Sequence, residues 1–299
     1  MSIFDQKVIK YEMKPLSSLE KVFPDETPVY RMECQMLSGL WGETVSFQVA
    51  YTGDFVMRER LDVRVVSELA EHVHVRTVEM VPVGRATNGI VDDNYLKTTS
   101  GLYPDLLKDL KDGKVIVYSR QWRSLWVDVD ITNEILAGEY EIELQLIKEG
   151  EVVCSAKQKV TVIGTELPKL DIMHTEWIHA DCLADYYHVE VFSEEHWKLL
   201  ENYFQEYVKR DCNMMLTPLF TSPLDTAIGL ERTTCQLIDV EVKDGEYVFG
   251  FEKLKRWIDL CKKCGIEYFE MSHLFSQWGA KYAPKVVATV NGKKEKIFG

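Results

Sequence analysis

The sequence predicts a β-sandwich followed by an α/β unit, on three observations. A period of two runs from Glu43 to about Val162, a break falls at Gly164-Thr-Glu-Leu-Pro168, and apolar strands then alternate with amphipathic helices. In the first stretch Val45, Phe47, Val49 and Tyr51 alternate with polar residues, as do Leu61, Val63 and Val65. Leu125, Val127, Val129 and Ile131 repeat the pattern around Asp128 and Asp130, and Tyr140, Ile142, Leu144 and Leu146 follow it again. Lys148-Glu-Gly-Glu151 then turns the chain into a run from Val152 to Val162. Successive strand side chains point to opposite faces, so this alternation marks strands buried on one side. Several in succession make an antiparallel sandwich over residues 1–165.

Residues 166–299 have another rhythm. Leu170 to His174 reads as a strand. Ser193 has the character of a helix N-cap, with Glu194 and Glu195 complementing the dipole in the first turn. Phe192 and Trp197 fit a hydrophobic staple, and Trp197, Leu200, Phe204, Tyr207 and Val208 continue one helical face. Asn213 to Pro218 is a second expected strand, 251–264 a helix, and Ile266 to Ser272 a third strand. Strand, helix, strand, helix, strand with apolar runs predicts a parallel sheet covered by helices. Ligand sites of such architectures lie at the carboxyl ends of strands, here His174-Thr-Glu-Trp177, Thr217-Pro218 and Ser272-His273. No Gly-x-Gly-x-x-Gly or Walker sequence follows these strands, so a nucleotide-phosphate site has no support.

Composition narrows the function classes. The 299 residues are 46% hydrophobic and 28% charged, the balance of a globular protein. A formal charge of −13 argues against nucleic acid or an acidic membrane face as partner, since Lys and Arg hold polyanions. The opening Met-Ser-Ile-Phe-Asp-Gln-Lys lacks an apolar signal region and no run reaches membrane-spanning length, which predicts a cytoplasmic chain. Seven scattered cysteines, an odd number, make no disulfide framework. Cys261 and Cys264 invite a redox or zinc reading. They sit at a helix C-terminus, however, where the dipole raises a thiol pKa, and Leu254, Trp257, Ile258 and Cys261 share a helical face, so they read as core. His72-Val-His74 has a spacing that zinc sites use, but no third ligand is near in sequence and Glu71 and Arg76 suggest a solvated face.

Asp171-Ile-Met-His-Thr-Glu-Trp-Ile-His-Ala-Asp-Cys182, Phe251 to His273 and Trp278-Gly-Ala-Lys-Tyr-Ala-Pro284 resemble the catalytic domain of glycoside hydrolase family 123, bacterial β-N-acetylgalactosaminidases and their relatives. Gln121 to Asp130 and Ala137 to Glu141 fit the sandwich that precedes it. The resemblance implies that residues 166–299 are the N-terminal part, about three strands, of a (β/α)8 TIM barrel. It also implies retaining, substrate-assisted hydrolysis of an N-acetylhexosaminide, with no cofactor or metal. The substrate's acetamido oxygen attacks the anomeric carbon, one carboxylate orients it, and a neighbouring acid with a raised pKa protonates the leaving oxygen. The family's pair is an adjacent Asp-Glu on a later barrel strand. The sole Asp-Glu here is Asp25-Glu26, in a Pro-flanked turn before the sandwich. A full barrel takes about 250 residues, and the chain after Gly164 is roughly half that length. The expectation is therefore a fragment ending before its catalytic pair, and inactive.

Several residues are candidates for binding a carbohydrate substrate. Trp278 can stack on a sugar face or pack beneath its loop. Trp177, His179 and Asp181 can hydrogen-bond sugar hydroxyls or form a satisfied structural cluster. Tyr186 and Tyr187 lie in the same stretch. Ser272 and His273 stand where the third strand would enter the site, and Glu270, two residues before Ser272, shares its strand face. A non-catalytic carbohydrate-binding protein and a barrel glycosidase of another family, such as a family 20-like hexosaminidase, remain as alternatives, because fold alone does not choose among them.

Overall fold

A computed structural model of the chain describes residues 10–28, 36–55, 58–89, 91–169, 171–224, 230–275 and 279–299. It contains two compact units, Met1–Pro168 and Lys169–Gly299.

The first unit holds β1 (Lys10–Ser17), β2 (Met36–Trp41), β3 (Thr44–Asp54), β4 (Glu59–Val66), β5 (Val73–Val83), β6 (Gly101–Asp109), β7 (Lys114–Val117), β8 (Arg123–Asp130), β9 (Gly138–Lys148) and β10 (Glu151–Glu166). They form two five-stranded sheets, ordered β1-β3-β8-β5-β6 and β2-β10-β9-β4-β7. Pairing is antiparallel except between β2 and β10. Phe47, Val49, Leu125, Val127 and Val129 of the first sheet meet Leu61, Val115, Ile142, Leu144, Leu146 and Val160 of the second in one buried core. Alternation puts these residues inside while Ser46, Asp128 and Asp130 face outward, where Asp128 accepts from Ser46 Oγ at 2.6 Å and Trp126 Nε1 at 2.7 Å.

The second unit contains α1 (Ala180–Tyr187), α2 (Glu194–Val208), β11 (Met214–Thr217), β12 (Asp239–Lys243), β13 (Glu246–Gly250), α3 (Glu252–Cys264), β14 (Tyr268–Met271), β15 (Val286–Val290) and β16 (Lys293–Phe298). Here the expected partial (β/α)8 barrel is corrected. The described residues form a two-stranded parallel pair, β11-β14, and a separate four-stranded sheet, β13-β12-β15-β16, with three α-helices. Two of the three expected parallel strands pair with each other. The third, 170–174, does not form: Leu170 lies outside the described residues, and 171–174 take no ladder partner in a sheet. The physical reason is Asn213, whose side chain bonds that segment in place of a strand, accepting from His174 N at 2.8 Å and donating to Ile172 O at 2.8 Å.

The four-stranded sheet comes from two hairpins. Asp244-Gly245 (φ 51° and 83°) joins β12 to β13, and Asn291-Gly292 (φ 50° and 81°) joins β15 to β16. Both central residues are left-handed, as a type I′ turn requires. The closing residues Lys293–Phe298 therefore fold back on β15 as its antiparallel partner.

The unit's core gathers around Trp257, which is wholly buried, packs edge-on against Phe204 with centroids 5.1 Å apart, and joins Leu200, Met215 and Cys261. At the start of α2, Ser193 Oγ accepts from His196 N at 3.2 Å, and Phe192 stacks on Trp197 at 5.2 Å. His196 is fully buried. Its Nδ1 accepts from Phe192 N–H at 2.9 Å, so that nitrogen carries no proton, and Nε2–H donates to Ala180 O at 2.9 Å. Burial holds its pKa below the ordinary value. The histidine thereby ties the start of α2 to the start of α1 in its neutral form. The unfolded chain takes up this proton near pH 6.5, before the folded chain does, so stability falls as the pH drops from about 6.5 through the lower folded value. Urea midpoints between pH 7.5 and 5 should fall more for the native protein than for His196→Gln. Parallel slopes would contradict the assignment.

Candidate functional site

The second unit brings three of the sequence-selected residues together. Trp177 Nε1 donates to Glu270 Oε2 at 3.0 Å, and the Trp177 ring meets His273 edge-on with centroids 5.6 Å apart. Glu270 comes from β14, opposite Leu216 of β11, and His273 follows the same strand, so both stand at the carboxyl end of the parallel pair. Trp177 is 45% exposed, half-covered rather than sunk in the core. One carboxylate oxygen, committed to the indole, fixes the side chain and leaves the other to accept from a ligand hydroxyl. The indole presents an apolar plate beside it, and the imidazole can donate or accept. An apolar plate beside a free carboxylate acceptor has the chemistry to contact a polyhydroxylated ring.

The other candidates stand elsewhere. Ser272 is buried, and its N–H donates to Thr217 O at 3.0 Å, extending the β11-β14 ladder by one step. His179 occupies the N-cap position of α1. Asp181 is in a buried ion pair: its oxygens accept from Arg232 Nε at 2.8 Å and Nη2 at 3.1 Å. Arg232 also donates to Leu224 O at 2.9 Å, and the neighbouring carboxylate pushes its pKa up against the opposing effect of burial. Removing one partner of such a pair costs about 3–5 kcal/mol because the other is left charged and uncompensated. Tyr186, 76% exposed, meets Tyr187, whose hydroxyl lies 3.1 Å from that of Tyr203. Trp278 lies outside the described residues.

Asp25 and Glu26 both bond Lys97, at 3.2 and 2.8 Å, and the ammonium holds the Asp25 carboxyl below the usual carboxylate range. A proton donor needs the opposite shift. Burial pushes the thiols of Cys261 and Cys264 up, away from the reactive thiolate. His72 lies in a short 3-10 turn, and His74 Nε2 sits 3.2 Å from Asp130. Among the described residues no cluster of His, Cys, Asp and Glu is arranged to hold a metal.

Sequence reasoning missed the residues that position the site. Asn213 uses all its polar groups: its N–H donates to His174 O at 3.0 Å and its C=O accepts from Glu267 N and Tyr268 N, both at 3.0 Å, besides the two side-chain bonds. Tyr207 Oη accepts from Glu176 N at 2.8 Å and donates to Met214 O at 2.5 Å. Together they clamp the segment before Trp177 to β11 and the start of β14. Isosteric Asn213→Leu should destabilise the protein by about 1–3 kcal/mol through orphaned backbone groups. A chemical-denaturation midpoint equal to that of the native protein would refute this.

Residues 177–298 match the model of the glycoside hydrolase 123 catalytic domain. Among solved structures, a family 123 glycoside hydrolase from Clostridium perfringens superposes with a TM-score of 0.67 at 13% identity, over 97% of this chain and 52% of that one. This chain thus spans about half the length of that protein and shares its fold over that span. A CARDB domain from Pyrococcus furiosus (12% identity, 52% of this chain, 96% of that, TM-score 0.25) and a β-glucosidase from Listeria innocua (10%, 54% and 17%, TM-score 0.24) are also similar, at values that carry no argument. No curated protein matches the chain. The stretch matched to the family begins at Trp177 and contains Glu270 and His273, and over that stretch the chain is similar to the glycoside hydrolase 123 catalytic domain.

Proposed function

We propose that the chain is part of a glycoside hydrolase acting on an N-acetylhexosaminide by retaining, substrate-assisted hydrolysis, and that its second unit supplies sugar-contacting residues. The observation that carries this reading is the Trp177–Glu270 hydrogen bond beside an exposed indole face, at the carboxyl end of two parallel strands. The matched solved structure is described by its hydrolysis of glycolipid glycans, which favours a glycan substrate here as well. In this reading Trp177 stacks on the pyranose, Glu270 accepts from a hydroxyl, and His273 borders the ring.

The mechanism needs an orienting carboxylate and a protonated acid side by side. The sole adjacent Asp-Glu of these 299 residues is Asp25-Glu26, both of which pair with Lys97, and the ammonium lowers the Asp25 carboxyl, the opposite of what a proton donor needs. The proposal is therefore that the 299 residues bind the sugar without cleaving it.

Calorimetric or ligand-observed NMR titration with N-acetylgalactosamine tests the binding. Trp177→Ala should weaken it about threefold to tenfold through lost stacking. Glu270→Gln, which keeps an acceptor but loses the charge, should weaken it about tenfold. Unchanged affinity in both variants would remove the proposed site, and release of aryl alcohol from an aryl N-acetylgalactosaminide would refute binding without cleavage.

A further inference from the structure

A second cleft stands in the sandwich, where β6 ends one sheet and β7 ends the other. These edge strands are not hydrogen-bonded to each other, and the sheets part around a cleft of about 760 Å³. In a chain of net charge −13, six cations line it: Arg58, Arg60, Lys108, Lys111, Lys114 and Arg123. Three carboxylates share the lining, Glu59, Glu79 and Asp109. Two of them are neutralised from outside the cleft, Glu59 by Lys148 at 2.9 Å and Asp109 by Arg76 at 3.4 Å.

On the basic side, Arg60 and Lys114 pair with Asp112 at 3.0 Å and Asp62 at 3.2 Å. Among the described residues Arg58, Lys108, Lys111 and Arg123 have no carboxylate partner. Arg123 lies over the Tyr118 ring at 5.0 Å and donates from Nη2 to Gln121, while its Nε is buried with no acceptor. A guanidinium lining the cleft with no carboxylate partner offers its remaining N–H groups for charge-assisted bonds to an anion. Val78 and Val115 supply apolar lining beneath these charges.

We propose that this cleft binds a small acidic saccharide, one carrying carboxylate or sulfate groups. Its volume lies in the range of small-molecule sites, roughly 300–1,000 Å³. The chain's overall negative charge disfavours long polyanions. The anionic requirement stands on the cleft alone, and the saccharide class rests on the proposed function.

The test titrates the whole chain with three probes: a sulfated disaccharide of uronic acid and N-acetylgalactosamine, the neutral disaccharide that lacks the sulfate and carries a hexose in place of the uronic acid, and inorganic sulfate. The acidic disaccharide should bind more tightly than either other probe. Lys108→Glu and Lys111→Glu should each weaken it about tenfold or more, as should the milder Lys108→Gln/Lys111→Gln pair. Lys159→Glu, on β10 outside the cleft, should leave it unchanged. In a Trp177→Ala background, which removes the proposed N-acetylgalactosamine contact beside Glu270, the preference for the acidic disaccharide and the losses at Lys108 and Lys111 should persist, which separates the two sites. Absence of binding, equal binding of the neutral disaccharide or of sulfate alone, or indifference to the Lys108 and Lys111 variants in proteins with native melting curves would overturn the proposal.

Discussion

Asn213 is the constraint on which the candidate site depends. A parallel pair of four-residue strands has few ladder bonds of its own, and its register must be secured from outside. Asn213 does this with five bonds: two from its side chain to residues 172–174, one from its N–H to His174, and two into its carbonyl from Glu267 and Tyr268. It fixes at once the segment that leads to Trp177 and the strand that carries Glu270. The 3.0 Å contact between those side chains follows from where Asn213 holds their backbones.

Around that clamp the second unit combines apolar packing with satisfied buried polar groups. Trp257, Phe204 and Leu200 seat α2 against α3, whereas α1 is held by polar contacts: His196 grips Ala180 O, and Arg232 grips Asp181. Buried polar groups contribute little net stability when paired but are costly when one partner is lost, so such contacts specify a single arrangement more than they add free energy. The sandwich relies on the other strategy. Its two sheets meet through Val, Leu, Ile and Phe, and its polar bonds run along the outer face.

Much of this could be read from the residues, and the failures have physical causes. Alternation marked Phe47, Val49, Leu125, Val127, Ile142 and Leu144, all buried, because a sheet face imposes a period of two. Ser193, Phe192 and Trp197 announced the start of α2 because capping is local chemistry. The barrel was over-read. Asp244-Gly245 and Asn291-Gly292 stand between short alternating runs and are strong hairpin signals, and they account for the four-stranded sheet that the strand–helix reading passed over. Leu170 to His174 looked like a strand by its apolar content, but content does not reveal that an asparagine about forty residues later will take its hydrogen bonds. Trp177, Glu270 and His273 were selected one by one from strand ends. Their meeting, and the capture of Asp181 by Arg232, depend on long-range contacts that no local pattern carries.

The central claim is that the indole of Trp177, tethered to Glu270, forms the floor of a sugar site. The most direct measurement is a two-dimensional 15N NMR titration of the chain with N-acetylgalactosamine, following the indole N–H signals. The account predicts that the Trp177 signal shifts saturably while those of buried Trp197 and Trp257 stay in place. A Trp177 signal unmoved at saturating sugar would contradict it.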